Sequence, residues 1–252
     1  MAKHFPMCAR IGLALTLLGG TTWATEGETL EAVRADLLKR WDQVRSLSAS
    51  LTVTSGEVPE AMVANLAARG TFEYVREGER RKVRVELTQR QFVIMKEGEP
   101  INEGTTITTI DDGEFNYRLI RSAEQQEAVK APSDEAAAMD TRWVFETLPK
   151  YYTLSLAAGD GSSSADAYVI EARPKQAIQT LQKIVIHISR DRGIVVRTSV
   201  VGADDVALST YRYEDLRINE LIPAERFIFN PPEGIRITEV GAAAPASKSK
   251  GP

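Results

Sequence analysis

Lys183-Ile184-Val185-Ile186-His187-Ile188-Ser189 leads through Arg190 into Asp191-Arg192-Gly193, and the chain leaves again as Ile194-Val195-Val196-Arg197-Thr198-Ser199-Val200-Val201. Isoleucine recurs at 184, 186 and 188, with Lys183, His187 and Ser189 on the alternate parity, so the first run is a strand with one apolar face. The D-R-G step is turn chemistry, and two runs joined this way pair antiparallel. The same period recurs elsewhere: Phe72, Tyr74 and Arg76 share a face, as do Val83, Val85 and Leu87, then Phe92 and Ile94, then Phe115, Tyr117 and Leu119. Further runs at Tyr168–Ala172, Leu208–Tyr213 and Arg226–Phe229 bring the count to about a dozen. Turn signals at Gly78, Gly98, Gly104, Gly113 and Pro231-Pro232-Glu233-Gly234 separate them. The fold expected is mainly β (α+β): an unclosed antiparallel β-barrel, or one large curved sheet, in a single domain over residues 25–240.

Two stretches break the period. Leu30, Val33, Leu37, Leu38, Trp41 and Val44 recur at steps of three and four, which predicts an amphipathic N-terminal helix lying on the sheet. Thr25 and Glu28 have capping-box spacing, although Gly27 weakens that start. Between 122 and 150 the composition changes: Glu124 to Lys130 is polar, and Ser133 can cap a short covering helix through Ala136, Met139 and Trp143, ending near Leu148-Pro149. Such a segment is either a fixed plug on the concave face or a lid over a cavity, and the residues favour the plug.

Composition narrows the function. Of 252 residues, 43% are hydrophobic and 26% charged, an ordinary globular balance. The net charge of −4 lacks the basic surplus a nucleic-acid partner requires. Lys3 and Arg10, the apolar run Ile11 to Leu18 and the small-residue site Thr22-Trp23-Ala24 read as a signal peptide, residues 1–24. That run is far short of the roughly 20 apolar residues of a spanning helix. Cleavage leaves 29 bases, 35 acids and net charge −6, with no cysteine, because Cys8 is the only one. The mature chain is therefore expected in the periplasm, soluble, without lipid anchor or disulfide, ending in a disordered tail at 241–252.

Catalytic signals are scarce. His187 is the only imidazole left after cleavage, and its strand parity makes it a solvent-facing side chain rather than a triad or zinc residue. No phosphate-binding glycine loop and no nucleophile elbow occurs. Asp111-Asp112-Gly113 and Asp204-Asp205 fit turns better than glycosidase carboxylates or a calcium loop. No enzymatic activity, cofactor or metal is expected.

Order and spacing then suggest a family. Ile184 to Gly193, Tyr211-Arg212-Tyr213-Glu214-Asp215-Leu216-Arg217-Ile218-Asn219 and Phe227-Ile228-Phe229-Asn230-Pro231-Pro232-Glu233-Gly234 resemble the C-terminal half of LolA/LolB-type periplasmic lipoprotein carriers. Gly70-Thr71-Phe72-Glu73-Tyr74-Val75-Arg76, Asp112-Gly113-Glu114-Phe115-Asn116-Tyr117 and Ala172-Arg173-Pro174-Lys175 are similar to the family's earlier strands. The chain departs from it at Arg76-Glu77, where the family has Arg-Pro, in a longer and more helical Val58–Ala68, and across 122–150.

The resemblance implies an apolar cavity that takes up acyl chains of lipoproteins or another lipid. An inner-membrane extractor and an outer-membrane receptor would be its partners, and the chain a monomer. The cavity candidates are Phe72, Tyr74, Val85, Leu87, Phe92, Ile94, Phe115, Tyr117, Ile184, Ile186, Tyr211, Tyr213, Phe227 and Phe229, with Met139 and Trp143 on the covering helix; the same residues also fit a permanently packed core. Arg76 shares a face with Phe72 and Tyr74 and matches the family arginine that latches the lid; the other reading is an exposed strand-end arginine. An RseB-like envelope regulator or assembly factor is the alternative function.

Overall fold

The computed structural model describes residues 29–56, 67–89, 104–122, 125–133, 139–157 and 166–240. Twelve strands are present among them: β1 (Ser46–Ser55), β2 (Ala68–Glu77), β3 (Arg80–Gln89), β4 (Thr105–Asp111), β5 (Phe115–Arg121), β6 (Gln126–Pro132), β7 (Tyr152–Leu156), β8 (Ala167–Pro174), β9 (Lys183–Ser189), β10 (Val195–Val201), β11 (Ala207–Ile218) and β12 (Ile237–Glu239). They form one open curved sheet in the order β12-β6-β5-β4-β3-β2-β1-β11-β10-β9-β8-β7. Neighbours are antiparallel except β12, which runs parallel to β6. Two meanders, β1 to β6 and β7 to β11, are joined where β1 lies on β11, with Leu51 opposite Tyr213 and Val53 opposite Tyr211.

One helix, α1 (Leu30–Trp41), lies on the inner face. Its cap is Thr29, whose extended backbone and hydroxyl, accepting from the Ala32 amide at 3.2 Å, satisfy an end donor. The Thr25–Glu28 box lies outside the described residues. Glu31 in the first turn and Lys39 and Arg40 in the last complement the helix dipole. Val33, Leu37 and Trp41 are buried to 2% exposure or less, each worth roughly 1.5–3 kcal/mol. Val33 and Leu37 pack with Ile170, Ile186, Ile188 and Val195 under β8 to β10. Trp41 packs with Leu47, Leu51, Phe72, Tyr74 and Tyr213 under β1, β2 and β11.

The segment 122–150 departs from expectation. Its polar start is a strand, β6, because alternation with few large apolar residues suits a strand at the margin of a sheet. Ser133 caps no turn among the described residues; its hydroxyl donates to Asp111 at 2.6 Å. Ala136 of the expected covering helix lies outside the described residues, and among those described the helical part holds a π-wound turn at Trp143–Thr147 followed by a 3₁₀ turn at Leu148–Lys150. Asp140 caps it, accepting from the Arg142 and Trp143 amides at 2.8 and 3.3 Å. The expected strand Arg226–Phe229 is instead a 3₁₀ turn, Ala224–Phe227, entered through Pro223 at φ −60°, which has no amide to give a sheet.

The apolar face of the sheet changes side between β3 and β4. Opposite Val83 and Val85, which face α1, stand Asp111 and Thr109. The buried apolar residues of the next strands, Ile110, Leu119 and Ala128, therefore lie on the outer face. The chain after β11 crosses that face, with Phe229 stacked on Tyr117 at 4.8 Å and Arg226 held by Glu73 at 2.9–3.1 Å.

Gly193, at φ +67°, turns the β9–β10 hairpin directly against α1. A Cβ there would lie 2.7 Å from the Arg40 Cβ and 2.9 Å from the Leu37 carbonyl oxygen. Gly56 has a similar φ of +74° and open space around it. Gly56→Ala is expected to cost about 1–2 kcal/mol, the backbone penalty alone, and Gly193→Ala clearly more, because the helix must also move. Urea unfolding of the two variants measures the difference.

Candidate functional site

A cavity of about 150 Å³ opens on the inner face where β1, β2, β3 and β11 meet, walled by Leu51, Phe72, Val83, Val85, Leu87, Tyr211 and Tyr213. Register places these side chains together: Leu51 faces Gly70 and Tyr213, Phe72 faces Val85, and Gly70 faces Leu87. A Cβ on Gly70 would sit 1.6 Å from the Glu86 carbonyl oxygen, so only glycine lets β2 and β3 pair this closely between Leu51 and Leu87. Phe72 meets Tyr213 edge-on at 5.7 Å. Burial raises the Tyr213 hydroxyl well above its ordinary pKa, so the wall carries no charge there. Its far side is polar, formed by Arg81, Thr109, Asp111 and Asn116.

Five expected residues converge here: Phe72, Val85, Leu87, Tyr211 and Tyr213. Met139 is fully buried in the same cluster, beneath the cavity residues. Ile184 and Ile186 belong to the other cluster, under α1 and Val144. Phe115 and Tyr117 are on the outer face, since their strand pairs Ile110 with Tyr117 after the apolar face has changed side. Phe229 stacks on Tyr117 there, and Phe227 is buried in the 3₁₀ turn that crosses β3 on that face. None of these four lines the inner-face cavity. Phe92 and Ile94 lie outside the described residues. Leu51 and Val83 were missed, although both carry the same period-two signal.

A second, polar cleft of about 520 Å³ lies at the β2–β3 turn, with Trp41, Tyr74, Arg76, Arg80, Arg81, Asp140, Arg142 and Trp143 in its walls. Arg81 lines both the cleft and the cavity. It donates to Asp140 at 3.0 Å, with side-chain exposures of 20% and 8%. Arg76 is neither an exposed strand end nor bonded to the covering segment. It donates to the Asp42 carbonyl at the end of α1, and the Asp42 carboxylate in turn holds Arg142 of the covering segment. The Arg76 Nε is buried without an acceptor. Burial opposes the Arg142 charge, but Asp42, Glu146 and Asp140 outweigh it and raise its pKa. The Tyr74 hydroxyl is pushed up to about 12, first by burial and then by Asp140. Trp143 is half-buried in this cleft rather than over the cavity.

Among the described residues no group of three or more histidines, cysteines and acids is placed to hold a metal, and no helix is long and apolar enough to cross a membrane. His187 lies half-buried on β9.

No family model and no curated protein matches the chain. Among solved structures, it is similar to MucB of Pseudomonas aeruginosa in its complex with MucA, at 14% identity over 78% of this chain and 61% of that one, TM-score 0.44. The chain thus spans about three fifths of the MucB chain. A conserved protein from Thermus thermophilus is similar at 11% identity over 82% of this chain and 98% of that one, TM-score 0.47. So is a LolA superfamily protein from Nitrosomonas europaea, at 12% identity over 78% and 97%, TM-score 0.31. The architecture itself stands on the strand order and register above.

Asp140 does two jobs, pairing with Arg81 and capping the turn at Trp143. Asp140→Ala is expected to cost about 3–5 kcal/mol, as removing one partner of a buried pair does. Asp140→Asn, which keeps an acceptor for the two amides, is expected to cost less. Denaturant midpoints of the two variants check the order.

Proposed function

We propose that this chain is a periplasmic carrier that binds acyl chains, of lipoproteins or of another lipid, in the inner-face cavity and moves them towards the outer membrane. The observation that carries the reading is the apolar wall formed by Leu51, Phe72, Val83, Val85 and Leu87 beside the rings of Tyr211 and Tyr213. Acyl chains bind by leaving water, at about 0.8 kcal/mol per buried CH₂, so such a site works without catalytic groups. An enzymatic role is not part of the proposal, and neither is a cofactor.

At about 150 Å³ the cavity is below the roughly 300–1,000 Å³ of ordinary ligand pockets, so uptake requires it to widen. Val83, Val85, Leu87 and Tyr211 are half-buried and mark where it reaches the surface. Met139, Val144, Phe145 and Leu148 of the covering segment are buried, which favours a plug over a lid. Widening therefore falls to the β3 side. The small resting size also favours a second reading, a regulator or assembly factor that binds a protein segment with the same fold.

Hydrogen exchange and native mass spectrometry separate the two. For a carrier, protein purified from its own envelope brings lipid with it, and adding a diacyl ligand slows exchange in β3 and β11 while Trp143–Lys150 exchanges as slowly as β9 throughout. Val85→Trp, which fills the cavity, abolishes the effect. Absence of lipid, no response to any acyl ligand and a stoichiometric protein partner would overturn the carrier in favour of the regulator.

A further inference from the structure

We propose that the arginine cleft at the β2–β3 turn binds a phosphate group, so that a phosphate-bearing lipid sets its headgroup there and its acyl chains in the adjoining cavity. The lipid half rests on the carrier reading; the anion half does not. Four guanidinium groups, Arg76, Arg80, Arg81 and Arg142, line one cleft of a chain whose net charge is −4. Internal pairing does not use them up. Asp140 holds Arg81, Asp42 and Glu146 hold Arg142, and Asp42 holds Arg76 through its carbonyl, with its carboxylate 3.7 Å from that guanidinium.

Two donors are left over. Arg80 is exposed and has no carboxylate partner among the described residues, and the buried Arg76 Nε has no acceptor. Glu79 and Glu146 also stand in the wall, and with Asp140 and the adjacent Asp42 they balance the four arginines in formal charge, so it is the unmatched donors and not a net charge that mark the cleft. Planar guanidinium forks match phosphate oxygens two at a time, as a compact ammonium does not. The position fits an amphiphile as well, because Arg81 is common to the polar cleft and the apolar cavity. At about 520 Å³ the cleft lies within the size range of ligand sites.

The test follows fluorescence of the purified protein, in which Trp41 and Trp143 line the cleft, during titration with dihexanoyl phosphatidate, dihexanoylglycerol and inorganic phosphate. The expected result is at least about tenfold tighter binding of phosphatidate than of the neutral diacylglycerol, with the preference shrinking as salt is added. Arg80→Ser should bring the two lipids to within about twofold, and Arg80→Lys should restore part of the difference. Arg80 is exposed, so an unchanged unfolding midpoint confirms that the variants fold. A response to inorganic phosphate that depends on Arg80, with no binding of either lipid, keeps the anion site, makes a free phosphate its ligand and removes the carrier reading. Equal affinity for the two lipids with no response to inorganic phosphate overturns the proposal and leaves the carrier standing. No response to any of the three overturns both.

Discussion

Everything on the inner face depends on the burial of one helical stripe, Val33, Leu37 and Trp41. Twelve residues are too few for a helix to persist alone in water, so α1 exists because the sheet takes up this stripe. The sheet needs the stripe equally, since Val33 and Leu37 complete one hydrophobic cluster and Trp41 the other. The last turn of α1 is also where three distant parts of the chain meet. Gly193 abuts it from the β9–β10 turn, its carbonyl accepts from the buried Thr141 hydroxyl at 2.7 Å, and Asp42 just beyond the helix ties Arg76 of β2 to Arg142. The cleft and the cavity are therefore both positioned from this one turn.

A sheet that buried only its inner face would need a single cover. This one needs two, because its apolar side changes between β3 and β4. α1 and the segment from Met139 to Leu148 cover the inner face under β1 to β3 and β7 to β11, and the chain after β11 covers the outer face of β3 to β5. The same change gives the cavity one polar wall, at Thr109, Asp111 and Asn116. Asp111 is held there by the Gly113 amide at 2.9 Å and the Ser133 hydroxyl, so the wall is built and not left over. Acyl chains would stop at it.

Period two made the strands legible, and with them the core parity of Phe72, Tyr74, Val83, Val85, Leu87, Ile184 and Ile186. It could not say which of two faces is inner. Phe115 and Tyr117 alternate as cleanly as Phe72 and Tyr74, yet face the other way, because register across β3 and β4, not alternation, assigns the face. Phe227 and Phe229 show the complementary error: spacing of two suggested a strand, while Pro223 turned the chain into 3₁₀ geometry. Of the charged residues in the cleft only Arg76 was singled out from the sequence, and Tyr74 and Trp143 were expected in the cavity instead. Arg81 and Asp140 are 59 positions apart and Asp42 and Arg142 are 100, with no local pattern linking them.

That division follows from the physics of the two sites. An apolar cavity is made of the same residues as a packed core and differs from it only in what is missing, here the unfilled space before Thr109. Sequence records residues and not gaps, so it can name the wall but not the opening. A charged cleft is the opposite case. Its groups stand out one by one, but each arginine on a surface is ordinary until the fold shows how many of its donors are already taken. Carboxylates hold Arg81 and Arg142, and Arg76 keeps one buried donor free while Arg80 is unpaired among the described residues. On the proposed reading the selective part of the molecule is thus legible only from the fold: apolar area would supply affinity without discrimination, and the few unmatched donors beside it would decide which headgroup is held.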